Sequence, residues 1–180
     1  MSGEANIYLI GARASGKTTL GRRLAAKLKR PFVDTDSRIR LRMGKTVAEI
    51  VAGGGWDAFR EAESLVLSEV AMFSGQVVSC GGGIVLRRDN CELLARGLTI
   101  FLDVDPEELA ERLTLAPGHA QRPSLTGRPI VEEVRQVLVE REPVYRSLAR
   151  VVLRGGSCVE KLAERALAEI LRLEGRPAGR

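Results

Sequence analysis

Near the start of the chain, Gly11-Ala-Arg-Ala-Ser-Gly16-Lys17-Thr18 is a complete G-x-x-x-x-G-K-[ST] element. Its glycines permit a turn that gathers backbone N–H groups around phosphate oxygens, at the positive end of the helix that follows. Both flanks suit it: Ile7-Tyr-Leu-Ile10 reads as a short buried strand, and the run after Thr18 reads as an amphipathic helix. Lys17 would reach the β- and γ-phosphates, and the Thr18 hydroxyl would ligate Mg²⁺. The backbone of Gly11, Ala14, Ser15, Gly16 and Thr19 would complete the cradle. A Gly-rich turn arising by chance lacks a reason for these flanks, so a nucleoside triphosphate is the expected ligand.

A second group of charges stands where structure alone does not call for it. Asp34-Thr35-Asp36 follows a short apolar run. On an extended segment, carboxylates two positions apart point the same way. Like charges so close are costly unless a cation or a hydrogen-bonded ligand offsets them. The plain alternative is an Asp helix cap beside a solvated neighbour. Further on, Trp56, Phe59, Glu63, Val66, Val70 and Phe73 fall on one stripe at helical spacing, so Glu63 is an acid on an apolar face, with Arg60 one turn before it. That pair either orients a guanidinium toward a buried site or is a routine intrahelical ion pair. Val131, Val134, Leu138 and Arg141 repeat the pattern; Tyr145 would continue it, but Pro143 is expected to kink the helix first. An arginine on a core face needs a carboxylate or phosphate, and Arg60 with Arg141 could clamp a carboxylate by paired N–H bonds. Gly81-Gly-Gly83 ends another apolar run, where bare backbone can approach a ligand closely. The glycines at 53–55 read instead as a turn and helix cap.

The elements that must hold these groups alternate along the chain. Strands are expected at 7–10, 32–33, 76–80, 99–102 and 151–153, with helices near 17–28, 56–73, 106–113, 129–141 and 159–173. Such alternation calls for an α/β fold, a mostly parallel five-stranded sheet with helices on both faces. Ligands in such folds bind beyond the carboxyl ends of the strands, where the loops 11–17, 34–36 and 81–83 fall. The stretch 116–128 has no periodicity, is dense in Pro, Gly and polar residues, and reads as a mobile lid over a site, with a plain surface loop as the alternative.

Bulk properties narrow the classes. With 180 residues the chain suits one domain, and 44% apolar content is ordinary for a globular protein. No apolar run is long enough to span a membrane. The first residues lack the order of a secretion signal, and Cys80, Cys91 and Cys158 show no C-x-x-C spacing, so a reducing cytoplasm is expected. The excess of 28 basic over 23 acidic residues is spread along the chain, and aromatics make up only 4%. A surface for stacking bases is hard to build from that, and small anionic ligands account for the charge, so no nucleic-acid partner is expected. No exposed apolar helix face stands out, which favours a monomer.

In this order, the phosphate loop, Asp34-Thr-Asp36, Phe59-Arg60 with Glu63, Gly81-Gly-Gly83, Arg122-Pro123 and Glu140-Arg141-Glu-Pro-Val-Tyr145 resemble the shikimate kinase family over nearly the whole chain. The segment Gln121-Arg-Pro-Ser-Leu-Thr-Gly127 resembles its longer-lid bacterial form. The resemblance implies a single P-loop kinase domain over 1–180, with an acceptor-binding region near 34–62 and a lid near 115–128. It implies transfer of the ATP γ-phosphoryl group to the 3-hydroxyl of shikimate, with Mg²⁺ as cofactor. By the same resemblance, Asp36 holds the shikimate hydroxyls and serves as the base. Arg60 and Arg141 bind the carboxylate, and the backbone at Gly81 and Gly82 closes the pocket. Asp34 acts on Mg²⁺ beside Thr18, Lys17 and Arg122 neutralise the transferring group, and Arg112 stacks on adenine. Two positions depart from the family pattern. Cys80 precedes the triple glycine, and Arg154-Gly-Gly-Ser157 lacks the Asp or Asn common there. A kinase for gluconate or for a nucleoside monophosphate is the alternative enzyme, although two arginines favour an acceptor bearing a carboxylate. A nucleotide-binding regulator without catalysis would be expected to lack Lys17, Asp36 or Arg122, and all three are present.

Overall fold

A computed structural model describes residues 4–115, 124, 126–155 and 158–175. Its centre is a five-stranded sheet of β1 (Ile7–Ile10), β2 (Phe32–Asp34), β3 (Val77–Ser79), β4 (Leu98–Asp103) and β5 (Val151–Arg154), ordered 2-3-1-4-5. Every neighbouring pair is parallel. The helices are α1 (Lys17–Leu28), α2 (Thr35–Met43), α3 (Val47–Ala71), α4 (Arg88–Ala95), α5 (Pro106–Leu115), α6 (Ile130–Leu148) and α7 (Val159–Leu173).

The strands read as unbroken apolar runs because both faces are covered. Along β1, Ile7 and Leu9 join the core beneath α1 and α7, whereas Tyr8 and Ile10 join the core shared with α3, α4 and the end of α6. The same alternation places Ile100 on the first side and Phe101 on the second. A third cluster of Ala12, Leu109, Leu113, Val134 and Leu138 ties α5 and α6 to the phosphate loop.

The structure departs from the sequence expectations in places that matter for the site. Asp34 and Asp36 do not share an extended segment: Asp34 ends β2 and caps α2, its Oδ1 accepting from Ser37 N–H at 2.9 Å, while Asp36 lies in the first turn of α2. The capping reading therefore holds for Asp34, and α2 itself was not expected. In α3, Gly55 has φ 72° and breaks the helix between an early segment, opened by a Thr46–Glu49 capping box, and the segment carrying Arg60 and Glu63. Phe73 lies beyond α3 and is exposed, so the buried stripe ends at Val70. Val131 is likewise exposed and off the buried stripe of α6. Pro143 does not stop α6, which continues to Leu148. The carbonyl that a helical proline leaves without its partner belongs to Val139, which is 78% exposed, so water can serve it.

Far from the loops, Arg30 is paired with Glu4 at 2.9 Å and Glu174 at 2.7 Å, and its side chain is only 3% exposed. It fastens the segment before β1 to the end of α7. Arg30→Ala leaves the Glu174 carboxylate without this partner and is expected to cost about 1.5–3 kcal/mol, read as a lower midpoint in urea with an unchanged slope. An unchanged midpoint would show the latch to be ornamental. Among the described residues, no helix is long and apolar enough to cross a membrane.

Candidate active site

The phosphate loop joins β1 to α1 through three residues of positive φ: Gly11 at 142°, Ala14 at 63° and Gly16 at 93°. At Gly11 a Cβ would stand 2.8 Å from the Leu102 carbonyl, so this turn admits no side chain. Gly16 is the N-cap of α1 and no side chain caps that helix, which leaves its first turn suited to an anion. Lys17 is buried, and its Nζ donates to the Gly11 carbonyl (3.0 Å), the Ala12 carbonyl (2.7 Å) and Ser15 Oγ (3.3 Å). It thus braces the loop it belongs to. Arg112 lies over the same loop, donating to the Ala14 carbonyl at 3.2 Å and pairing with Glu108.

Beside Lys17, the Thr18 hydroxyl donates to Asp34 Oδ2 at 2.8 Å and lies 3.2 Å from Ser79 Oγ. Burial opposes charge on Asp34, but hydrogen bonds from the Ser37 N–H and from the Thr18, Ser37 and Ser79 hydroxyls outweigh it and hold the carboxyl below its ordinary range. A carboxylate kept ionised beside a hydroxyl is a hard oxygen donor set, which suits Mg²⁺. Among the described residues no group of three His, Cys, Asp or Glu could hold a metal.

On the other side of Asp36, α3, α6 and the loop after β3 meet α2. From α3 come Arg60 and Glu63, in direct contact, with the Arg60 guanidinium over the rings of Trp56 and Phe59 at 5.4 Å each. Glu63 is 1% exposed; burial pushes its carboxyl up and Arg60 pulls it back. From α6 comes Arg141, buried, its Nη1 donating to the Gly82 carbonyl at 3.3 Å. Tyr145 donates to the same carbonyl; burial pushes its hydroxyl up to about 12, so it remains a neutral donor. The loop after β3 is held by Gly81 N–H donating to Thr35 Oγ1 at 2.9 Å. A Cβ at Gly81 would stand 2.5 Å from Glu63 Oε1 and 2.9 Å from Asp36 Oδ1, and one at Gly83 would overlap the Arg60 guanidinium.

Two adjoining cavities result. One is lined by Lys17, Thr18, Thr19 and Asp34, the other by Trp56, Arg60, Glu63 and Arg141. Asp36 and Gly82 line both. Arg122 and most of the expected lid (116–123 and 125) lie outside the described residues. Sequence reasoning passed over Thr35 and Ser79. Their signals were faint: a hydroxyl between two acids, and a hydroxyl in an otherwise apolar strand.

Comparison with known proteins points the same way. The shikimate kinase family model matches residues 13–171. A shikimate kinase of Nitratidesulfovibrio vulgaris is 48% identical over 159 residues, covering 88% of this chain and 91% of that one. Shikimate kinase 2 of Yersinia enterocolitica is 46% identical over 162 residues, covering 89% and 92%. Among solved structures, a shikimate kinase from Acinetobacter baumannii in complex with shikimate superposes with a TM-score of 0.89, at 32% identity over 95% of each chain.

Proposed function

The chain belongs to the shikimate kinase family, and from that premise we propose how its own residues move the γ-phosphoryl group of ATP to the 3-hydroxyl of shikimate, giving ADP and shikimate 3-phosphate. It is an ATP-dependent phosphotransferase acting on an alcohol group. The observation that carries the reading is the pair of cavities meeting at Asp36, one phosphate-binding and one lined by two arginines.

The reaction breaks the bond between the γ-phosphorus and its bridging oxygen and forms a bond to the acceptor oxygen. Asp36 receives the proton that leaves the acceptor hydroxyl. Loop amides from Gly11 to Thr19, with Ala14, Ser15 and Gly16 between, hold the β- and γ-phosphates. Thr18 and Asp34 would hold Mg²⁺, which supplies neutralising charge to the phosphate oxygens. As nucleotide enters, Lys17 exchanges part of its bonding to the loop oxygens for the β- and γ-phosphates and keeps the rest as a brace. Arg60 and Arg141 take the shikimate carboxylate by charge-assisted pairs, with Glu63 orienting Arg60 and the Gly81–Gly82 backbone forming the floor. From the sequence resemblance, Arg112 stacks on adenine and Arg122 adds charge at the γ-phosphate from the lid. The protein is read as one monomeric domain of the cytoplasm, with acceptor region and lid as its parts and with neither membrane nor nucleic acid as a partner.

An ADP-release assay tests this reading: ADP should appear with shikimate and stay near background with gluconate or a nucleoside monophosphate. Preference for either of the latter would overturn it. The carboxylate clamp has its own test. Gly83→Ala puts a methyl group where the Arg60 guanidinium lies, and Glu63, Trp56 and Phe59 leave that group little room. The KM for shikimate is expected to rise about 10- to 100-fold, the size of one charge-assisted contact, with the KM for ATP little changed. Equal increases for both substrates would remove Arg60 from the clamp.

A further inference from the structure

We propose that Arg13 is a catalytic residue that holds the transferring phosphoryl group from the acceptor side, an inference that rests on the kinase reading above. The phosphate-loop motif leaves position 13 open, so its spacing does not ask for an arginine there. Yet Arg13 lines both cavities, as do Asp36 and Gly82. Of these three, Asp36 is an acid and Gly82 has no side chain, so Arg13 is the cation at the passage between the chambers. The two loops that border this passage approach closely: a Cβ at Gly82 would stand 3.4 Å from the Arg13 backbone nitrogen.

Three other cations, Lys17, Arg60 and Arg141, each line one chamber only, and Arg112 lines neither. Lys17 lines the phosphate cavity, within the cage of loop oxygens, and does not line the acceptor cavity. Arg60 and Arg141 line the acceptor cavity, engaged with Glu63 and the Gly82 carbonyl, and do not line the phosphate cavity. During transfer the phosphorus passes from its bridging oxygen to the acceptor oxygen, carrying negative charge on its three equatorial oxygens from one chamber toward the other. A cation facing only one chamber loses or gains contact along that path. Arg13 lines both, so its guanidinium is within reach of the group along the whole path, and a guanidinium offers two N–H groups to two phosphoryl oxygens. The contact strengthens as charge accumulates at the junction, which accelerates the step and retains the phosphorylated product.

The test uses Arg13→Met, which keeps the apolar stem and removes the charge, in the full chain. Its kcat is expected to fall about 10²- to 10³-fold, while the KM for shikimate stays within about threefold. Titration calorimetry without nucleotide should show shikimate binding nearly unchanged and shikimate 3-phosphate binding weakened about 10- to 100-fold. Free guanidinium ion should restore part of the kcat of Arg13→Ala, a response that a purely structural role would not produce. A near-normal kcat, or equal losses of affinity for shikimate and its 3-phosphate, would overturn the assignment. If thermal unfolding shows Arg13→Met to be poorly folded, Arg13→Lys carries the same readouts, with losses smaller but in the same pattern. Wild-type protein lacking shikimate-dependent ADP release would instead fail the kinase reading, so the two failures are distinguishable.

Discussion

Lys17→Ala is expected to lower kcat by about 10³-fold or more while the sheet stays folded. Lys17 is a buried cation of the phosphate loop, and in the mechanism proposed above it meets the β- and γ-phosphate oxygens on either side of the P–O bond that breaks. Removing one such preorganised donor typically costs about 10²–10³-fold. Here a second cost adds to it, because Nζ also ties the carbonyls of Gly11 and Ala12 to Ser15 Oγ. Without that brace the loop holding its positive φ at Gly11, Ala14 and Gly16 loosens, and fewer amides converge on the phosphates. The two contributions separate by measurement. Steady-state turnover reports their sum, whereas binding of a non-hydrolysable nucleotide reports loop order. The strands lie beyond the reach of these bonds, so the thermal midpoint should move by a few degrees at most, the order expected for about 1 kcal/mol. Turnover near normal would take the phosphate loop out of the mechanism.

Asp36→Asn should cut kcat by about 10²–10⁴-fold, the usual range for loss of general-base help. Asparagine keeps the shape and can still accept a hydrogen bond from the acceptor hydroxyl, but it cannot take the proton. Shikimate affinity should therefore fall much less than turnover. The loss should persist at every Mg²⁺ concentration, because Asp36 borders the acceptor cavity as well as the phosphate cavity. Asp34→Asn should behave differently. Asp34 lines only the phosphate cavity and is bonded to Thr18, so excess Mg²⁺ should recover part of its activity. A mutant pair with the opposite pattern of metal rescue would exchange the two roles.

What was legible in the sequence is whatever depends on neighbours along the chain. The phosphate loop is local: its glycines, Lys17 and Thr18 lie within one turn, so their spacing alone announces their chemistry. The strands were legible because a doubly covered parallel sheet leaves unbroken apolar runs, and the observed strands differ from the expected ones by a residue or so at each end. Helical spacing also marked Glu63 and Arg141 as charges on buried faces, as the structure has them.

Tertiary structure decided the rest. Helix α2 carries three arginines and little apolar periodicity; it is held by the Asp34 cap and by Ile39 buried in the core shared with α3. That helix, and not an extended segment, aims Asp36. Pro143 argued for a kink before Tyr145, but α6 runs on to Leu148, with Tyr145 buried against Phe101 and bonded to Gly82. Most of all, no periodicity states that α2, α3, the loop after β3 and α6 converge. The strand order 2-3-1-4-5 sets β3 between β2 and β1, and so brings the Gly81–Gly83 loop beside both the phosphate loop and Asp36. A sequence records which face each charge must hide on; only the packed sheet determines which opposite charge, carbonyl or cavity it meets there.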